Sequence, residues 1–406
     1  MRAAVLAIAL GLVASPAAAQ AVSQAGFVEG QGYWFPEVTF NDSAHYVGDA
    51  LLRQEVVLRP AKWIQFVAGA ELRANSHGQV EDEWRLDWDD RGLLRPRAAV
   101  RQLVAKITAG RFRLDVGKQF VRWGRADIVY PTDRFAPRDY LNVVTTELLP
   151  VIGARASLQA GSETFEGVWV PRFTPSRLPL FDQRWSPVPP GVPVTDLGSN
   201  IPGGSQFGAR WRHTGSRIET AFSYFDGFNH QPDLEVRARP DLTGTEILRV
   251  FPRIRQYGGD VALPMSWLTI KAEAAFVTSP PKTSDEYLLY VVEIERQAGN
   301  WLLDGGYVGQ NVTEQRVAFT FAPDRSLAKS ILGRAFYSAD PRRTFLIEAA
   351  VQQNGDGYYG KAEFSEGMGQ HWRLTMAAVG LGGEAQNFLG QYRHNSHATV
   401  TLRFSY

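Results

Sequence analysis

The chain closes on His397-Ala398-Thr399-Val400-Thr401-Leu402-Arg403-Phe404-Ser405-Tyr406, and this stretch governs the reading of the fold. Ala398, Val400, Leu402, Phe404 and Tyr406 share one parity; Thr399, Thr401, Arg403 and Ser405 share the other. A period of two is the period of a β-strand. In a soluble sheet the apolar face meets a core. In a membrane barrel it meets lipid, and the polar face lines a lumen. The aromatic end, Phe404 and Tyr406, predicts an assembly signal for the barrel-assembly machinery of a bacterial outer membrane.

The same alternation recurs upstream. Ile64, Phe66, Ala68, Ala70 and Leu72 alternate with Gln65, Val67, Gly69, Glu71 and Arg73. Ile270, Ala272, Ala274 and Phe276 alternate with Lys271 and Glu273, and Phe345, Ile347, Ala349 and Val351 with Thr344 and Glu348. Charges keep to one parity, whereas a helix would set its apolar stripe at 3.6 spacing. Segments of roughly ten residues, the length of a tilted membrane-crossing strand, predict about eighteen strands (range 16–18). The first lies near 26–37, a long loop falls between 111–123 and 150–160, and late strands are expected at 247–262 and 392–406. The fold class is therefore all-β, a transmembrane antiparallel barrel.

The connections supply a separate argument. Every second one is tight and rich in turn residues: Arg59-Pro60-Ala61-Lys62, Thr108-Ala109-Gly110, Ala160-Gly161-Ser162, Thr214-Gly215-Ser216, Leu263-Pro264-Met265-Ser266, Ala298-Gly299-Asn300, Ala339-Asp340-Pro341-Arg342 and Gly367-Met368-Gly369-Gln370. The others are mostly long: 38–48, 75–94, 124–149, 172–204, 227–246, 312–326 and 383–391. Short turns at one rim and long loops at the other are the habit of bacterial barrels.

The first residues differ from the rest. Arg2, an apolar run from Ala3 to Val13 and the small residues Ala17-Ala18-Ala19 predict a signal peptide over 1–19, with Ala21 as the alternative cleavage point. The barrel domain is then 20–406, in the outer membrane, with strand patterns starting too early for a plug. No later stretch is an uncharged apolar 18-mer, so no helical span is expected. The chain has no cysteine and a net charge of +1, which excludes disulfides and thiolate metal sites and gives no footprint for nucleic acid.

The most chemically loaded segment runs from Val116-Gly117-Lys118-Gln119-Phe120-Val121-Arg122-Trp123-Gly124-Arg125-Ala126-Asp127 through Tyr130-Pro131-Thr132-Asp133-Arg134-Phe135-Ala136-Pro137-Arg138-Asp139-Tyr140. Arg122, Arg125, Arg134 and Arg138 are matched against Asp127, Asp133 and Asp139. Guanidinium–carboxylate pairs hold a loop rigid, and rings of charge set selectivity. Leu148, Leu149 and Val151 need burial, so the 124–149 loop is expected to fold into the lumen, and these seven charged residues are the pore candidates. Parity adds Arg73, Arg210, Arg212, Lys271, Glu273, Arg373 and Arg403 as lumen-facing wall residues, their mixed signs predicting interstrand salt bridges.

The run Gly117-Lys118-Gln119, Trp123-Gly124 and Pro131-Thr132-Asp133 resembles an uncharacterised family of proteobacterial outer-membrane barrels related to the alginate-export porins. Trp169-Val170-Pro171-Arg172-Phe173-Thr174-Pro175-Ser176-Arg177-Leu178-Pro179 resembles that family's next shared segment. Lys118 stands where the family has Arg, and Tyr130-Pro131 where it has Asn-Pro. The resemblance, over 115–179, implies a transport role beside inner-membrane exporters of lipids or hydrophobes, and supplies no substrate.

No histidine lies in a Gly-x-Ser-x-Gly or His-Glu-x-x-His context, and His394 and His397, three apart, fall on opposite faces of a strand. No catalytic residue, metal ligand or cofactor is expected. Three functions are weighed: a channel or export porin, narrowed by the 124–149 loop; a carrier of lipid-like molecules; and an outer-membrane hydrolase. The expected surroundings are outer-membrane lipid and lipopolysaccharide, with an inner-membrane exporter where export is the role.

Overall fold

Strands with one apolar and one polar face can all keep the apolar face outward only if the sheet closes on itself, and closure also leaves no unpaired edge. The computed structural model describes residues 22–406 apart from 187, 189, 190, 192, 242 and 318–320; the expected leader, 1–19, lies outside the described residues. The wall is formed by β1 (Val22–Trp34), β2 (Tyr46–Ala61), β3 (Ile64–Asn75), β4 (Ala98–Ala109), β5 (Phe112–Gln119), β6 (Val151–Ala160), β7 (Glu163–Val170), β8 (Gln206–Thr214) and β9 (Glu219–Phe228). It continues with β10 (Arg253–Pro264), β11 (Thr269–Thr278), β12 (Glu286–Ala298), β13 (Trp301–Glu314), β14 (Ser330–Ser338), β15 (Arg343–Gln352), β16 (Gly357–Met368), β17 (Trp372–Gly383) and β18 (His397–Ser405). Each strand pairs antiparallel with the next. β18 pairs with β1 from Phe27↔Ser405 to Trp34↔Ala398, and Gly26 and Tyr406 exchange two backbone hydrogen bonds of 3.1 and 3.0 Å. The barrel of eighteen strands is closed, as the sequence leads one to expect.

The eight alternate turns are short, none exceeding four residues. Gly110, Gly161, Gly299 and Gly369 carry φ of 60°, 65°, 59° and 68°, the left-handed conformation that tight hairpins require. Outward residues form an apolar belt: Phe222, Ile331, Ile347 and Val400 are each more than half exposed, while their inward neighbours are not. Aromatics rim the belt. Near the short turns Trp301 meets Tyr337 at 4.6 Å, Phe345 meets Phe364 at 4.9 Å and Trp372 meets Phe404 at 5.0 Å. Trp34, Tyr46, Trp169, Tyr257 and Tyr358 are exposed toward the long-loop end. Such girdles sit at membrane interfaces.

Several strand limits differ from expectation, beginning with β1, which runs from Val22 to Trp34 and not near 26–37. The 247–262 segment is two strands: Thr245–Val250 belongs to a small sheet with Val194–Asn200 and Asp233–Ala238 in the long loops, and β10 begins at Arg253. Pro252 lies between them and has no N–H for a ladder. Residues 390–395 form a short 3-10 turn, so β18 starts at His397. His394 therefore lies off the strand, where its Nδ1 is 2.5 Å from Glu37 Oε2. β5 stops at Gln119 because Val121 and Trp123 leave the wall for an apolar cluster inside the barrel. The Pro-rich loop after β7 also packs inward, with Phe173, Leu178 and Trp185 buried.

Candidate functional site

The 120–150 loop departs from β5 beside a strained position. Gly117 has φ +130°, and a Cβ there would lie 2.2 Å from the Leu103 carbonyl oxygen. The next two residues are buried and bonded: Lys118 Nζ reaches Asp90 at 2.6 Å, and Gln119 Nε2 donates to the Gly153 carbonyl at 3.0 Å. The chain then turns inward onto its own core, where Phe135 contacts Trp123 at 5.1 Å and Phe225 at 5.0 Å, both edge to face.

Two wall carboxylates hold the loop backbone. Glu273 on β11 accepts from the Arg125 N–H at 2.7 Å and the Ala126 N–H at 3.0 Å on one oxygen. Its other oxygen accepts from the Thr132 N–H at 2.7 Å and hydroxyl at 2.8 Å. Glu293 on β12 accepts from the Asp127 N–H at 2.8 Å and the Ile128 N–H at 3.3 Å. Charged acceptors for backbone N–H groups make strong hydrogen bonds away from water. The loop thus lies inside the barrel, against β11 and β12.

The loop arginines look mostly to the wall and other loops, not to the loop acids. Arg122–Asp133, at 3.2 Å, is the pair within the loop. Arg125 reaches Asp260 at 2.5 Å and Glu219 at 2.6 Å. Arg134 bonds Gln256 and, at 3.2 Å, Tyr287, with Asp324 at 3.6 Å. Arg138 lies over the Tyr130 ring at 5.2 Å, as does Arg122 at 4.6 Å. Asp127 takes Lys271 at 2.5 Å. Asp139 is gripped by Arg95 at 2.9 Å and Arg177 at 3.4 Å, from two other loops. The reason is spatial. A loop crossing a lumen has more charged neighbours on the surrounding wall than along its own backbone.

Of the expected wall residues, Arg210 pairs with Asp260 at 2.8 Å, Lys271 with Glu295 at 2.8 Å, and Arg403 with Glu29 at 2.5 Å. Arg73 bridges Glu71 at 3.1 Å and Glu147 at 2.6 Å, and Arg53 and Arg101 join the same two carboxylates. Arg373 donates to Ser365 Oγ at 3.1 Å. Arg212 lies on β8 opposite Thr164 and Ala221. Glu273 makes backbone contacts where a salt bridge was expected. Glu293, Asp260, Glu147, Arg95 and Arg177 were missed. For Glu293 and Asp260 the signal existed, since both share the inward parity of their strands. For Glu147, Arg95 and Arg177 nothing local marks a partner that is far along the chain.

Among the loop groups whose protonation is displaced, Asp139 and His230 bear on the site. Burial alone would raise the Asp139 carboxyl, but Arg95 and Arg177 hold it well below the usual carboxylate range. Burial pushes His230 down to about 4, leaving it neutral with Nδ1 2.5 Å from the Thr174 carbonyl.

The crossing loop leaves unequal spaces beside it. On the β14–β17 side is a cavity of about 450 Å³, lined by Asp127, Tyr130, Arg134 and Arg138 from the loop and by Arg334, Glu348 and Tyr359 from the wall. Apolar groups fill the intervals: Ile128, Val129, Leu289, Leu332, Leu381, Phe388 and Leu389. The space on the β1–β3 side is about 70 Å³. There the Arg53–Arg73–Arg101 network with Glu71 and Glu147 occupies the lumen.

No protein-family model matches the chain, and no curated protein matches it in sequence; the alginate-export resemblance therefore gains no support from either. Solved structures do match. A BenF-like porin from Pseudomonas fluorescens Pf-5 superposes with a TM-score of 0.57 at 9% identity, over 95% of this chain and 97% of that one. The fold is that of an outer-membrane porin. Acinetobacter baumannii OccAB4 gives a TM-score of 0.55 at 11% identity, over 94% and 97% of the two chains. Pseudomonas aeruginosa OccD3 (OpdP) gives 0.54 at 10%, over 97% and 96%. Identities this low carry the architecture alone. With its apolar belt and aromatic rims, this porin-fold barrel is an outer-membrane protein.

Proposed function

We propose that the protein is a diffusion channel for small solutes, narrowed by the 124–149 loop. The observation that carries this reading is the loop's anchorage across the lumen by Glu273 and Glu293, with a cavity of about 450 Å³ left on one side. That volume suits a drug-sized molecule. Its lining joins an apolar floor to groups of both signs, Asp127 and Glu348 against Arg134, Arg138 and Arg334. The solute class this supports is an amphipathic one: an apolar body with a charged or zwitterionic end. The same apolar lining favours, as the second reading, a carrier of lipid-like molecules.

The test is single-channel recording of the purified barrel in planar bilayers, followed by solute uptake into proteoliposomes. The channel reading expects a stable open conductance that rises when residues 126–146 are removed. Absence of current in both the intact and the shortened barrel would sink it. A lipid that co-purifies, with no current, would favour the carrier.

A further inference from the structure

Beside the anchored stretch of the loop, three carboxylates converge. Asp127 comes from the loop, Glu295 from β12 and Asp304 from β13, and one ligand oxygen of each lies within 4.8 Å of the others. Glu295 and Asp304 are direct cross-strand partners. Lys271 Nζ bridges Asp127 at 2.5 Å and Glu295 at 2.8 Å. Asp304 has no such relief. It is 7% exposed, and its Oδ1 is fully buried without a hydrogen-bond donor. Among the described residues no ion pair reaches it. Arg334 stands opposite it in register on β14 without closing to salt-bridge distance, and Glu293 adds a fourth carboxylate at the neighbouring loop amides. Four negative groups thus face two positive ones. A buried carboxylate oxygen without a donor costs free energy, and the cost grows beside other anions.

We propose that Asp127, Glu295 and Asp304 form a site for a hard divalent cation, Ca²⁺ or Mg²⁺, that clamps the inward loop to the wall. The donor set is all oxygen, as such cations require, and the remaining positions go to water. Asp127 and Glu295 are about one-third exposed to the lumen, so an ion can enter. The site joins a loop residue to two wall strands. Occupancy cancels the repulsion among the three carboxylates and ties residue 127 to β12 and β13. With the site empty, Lys271 offsets part of that repulsion, and Asp127 is held by Lys271 and by its backbone bond to Glu293, without a tie to Asp304. Loop position then depends on divalent cation concentration.

The experiment uses full-length barrel refolded free of lipopolysaccharide, which itself binds divalent cations. Equilibrium dialysis against Ca²⁺ is expected to show one saturable site with a Kd of about 0.1–1 mM, the range of exposed extracellular sites. Asp304→Asn and Glu295→Gln are expected to weaken it at least tenfold, and Glu83→Gln, in an exposed loop, to leave it unchanged. Heat-modifiable gel migration establishes that each variant is folded. Hydrogen exchange at residues 125–129 should slow with Ca²⁺ in the parent barrel and not in Asp304→Asn. No saturable binding up to about 10 mM, or equal binding by the parent and Asp304→Asn, overturns the proposal. These readouts need no current, so they stand apart from the channel reading.

Discussion

Replacing Glu273 by Gln tests whether one buried carboxylate holds the loop in place. The parent side chain is 2% exposed and accepts four hydrogen bonds, two on each oxygen. The amide keeps one oxygen. If its NH₂ faces Thr132, the hydroxyl can rotate and accept, but the Thr132 N–H is left facing a donor. If it faces Arg125 and Ala126, two N–H groups are orphaned. Two charge-assisted bonds are lost or weakened, at about 1.5–3 kcal/mol each. The loop should therefore lose about 3–6 kcal/mol of anchoring. At about 1.4 kcal/mol per factor of ten, the ratio of docked to undocked loop falls by roughly a hundred- to ten-thousand-fold. Amide hydrogen exchange in detergent micelles reads this directly at residues 125, 126 and 132, and open-channel noise should rise in parallel. Glu348→Gln is the control, because Glu348 bonds Tyr359 on the wall at 2.6 Å. Unchanged protection of those three amides in Glu273→Gln would refute the anchoring argument.

Asp139→Asn should cost the loop assembly about 3–5 kcal/mol by leaving Arg95 buried without its charge partner, while Arg177 keeps Asp90 at 3.1 Å; this is seen as a lower thermal transition of the loops. The pH dependence follows from its depressed folded pKa. Its contribution is fully present above the unfolded value near 3.9 and is lost as pH falls toward the lower folded value. Loop stability should fall with acid below about pH 4 in the parent, and that component should vanish in Asp139→Asn. Ile347→Arg, on the lipid face of β15, should lower barrel stability by about 2–4 kcal/mol in urea titrations in lipid vesicles; no change would contradict the outward placement of Ile347. Removal of Phe404, Ser405 and Tyr406 takes away the Gly26–Tyr406 bonds that continue the β1–β18 seam, and folded yield in cells should fall several-fold, read from heat-modifiable migration.

The wall was legible in the sequence because a membrane barrel imposes a one-dimensional rule. Lipid outside and a polar lumen inside force alternation along every strand, and that alternation is written residue by residue in Ala398 to Tyr406. Parity alone placed Lys271, Glu273 and Arg403 inward. The limits of β10 and β18 were harder, since a loop strand such as Thr245–Val250 carries similar residues and only its partners distinguish it. The inward course of the 124–149 loop was also readable, from its apolar and charged content. What the tertiary structure alone decided was who meets whom across the lumen. Glu273 is 141 residues from Thr132, and Asp139 is 44 from Arg95. Such pairings arise when closure of the sheet brings distant strands around one space, and no local period records them. The sequence by itself therefore determined the barrel and its two faces; three-dimensional closure chose the carboxylates that hold the loop.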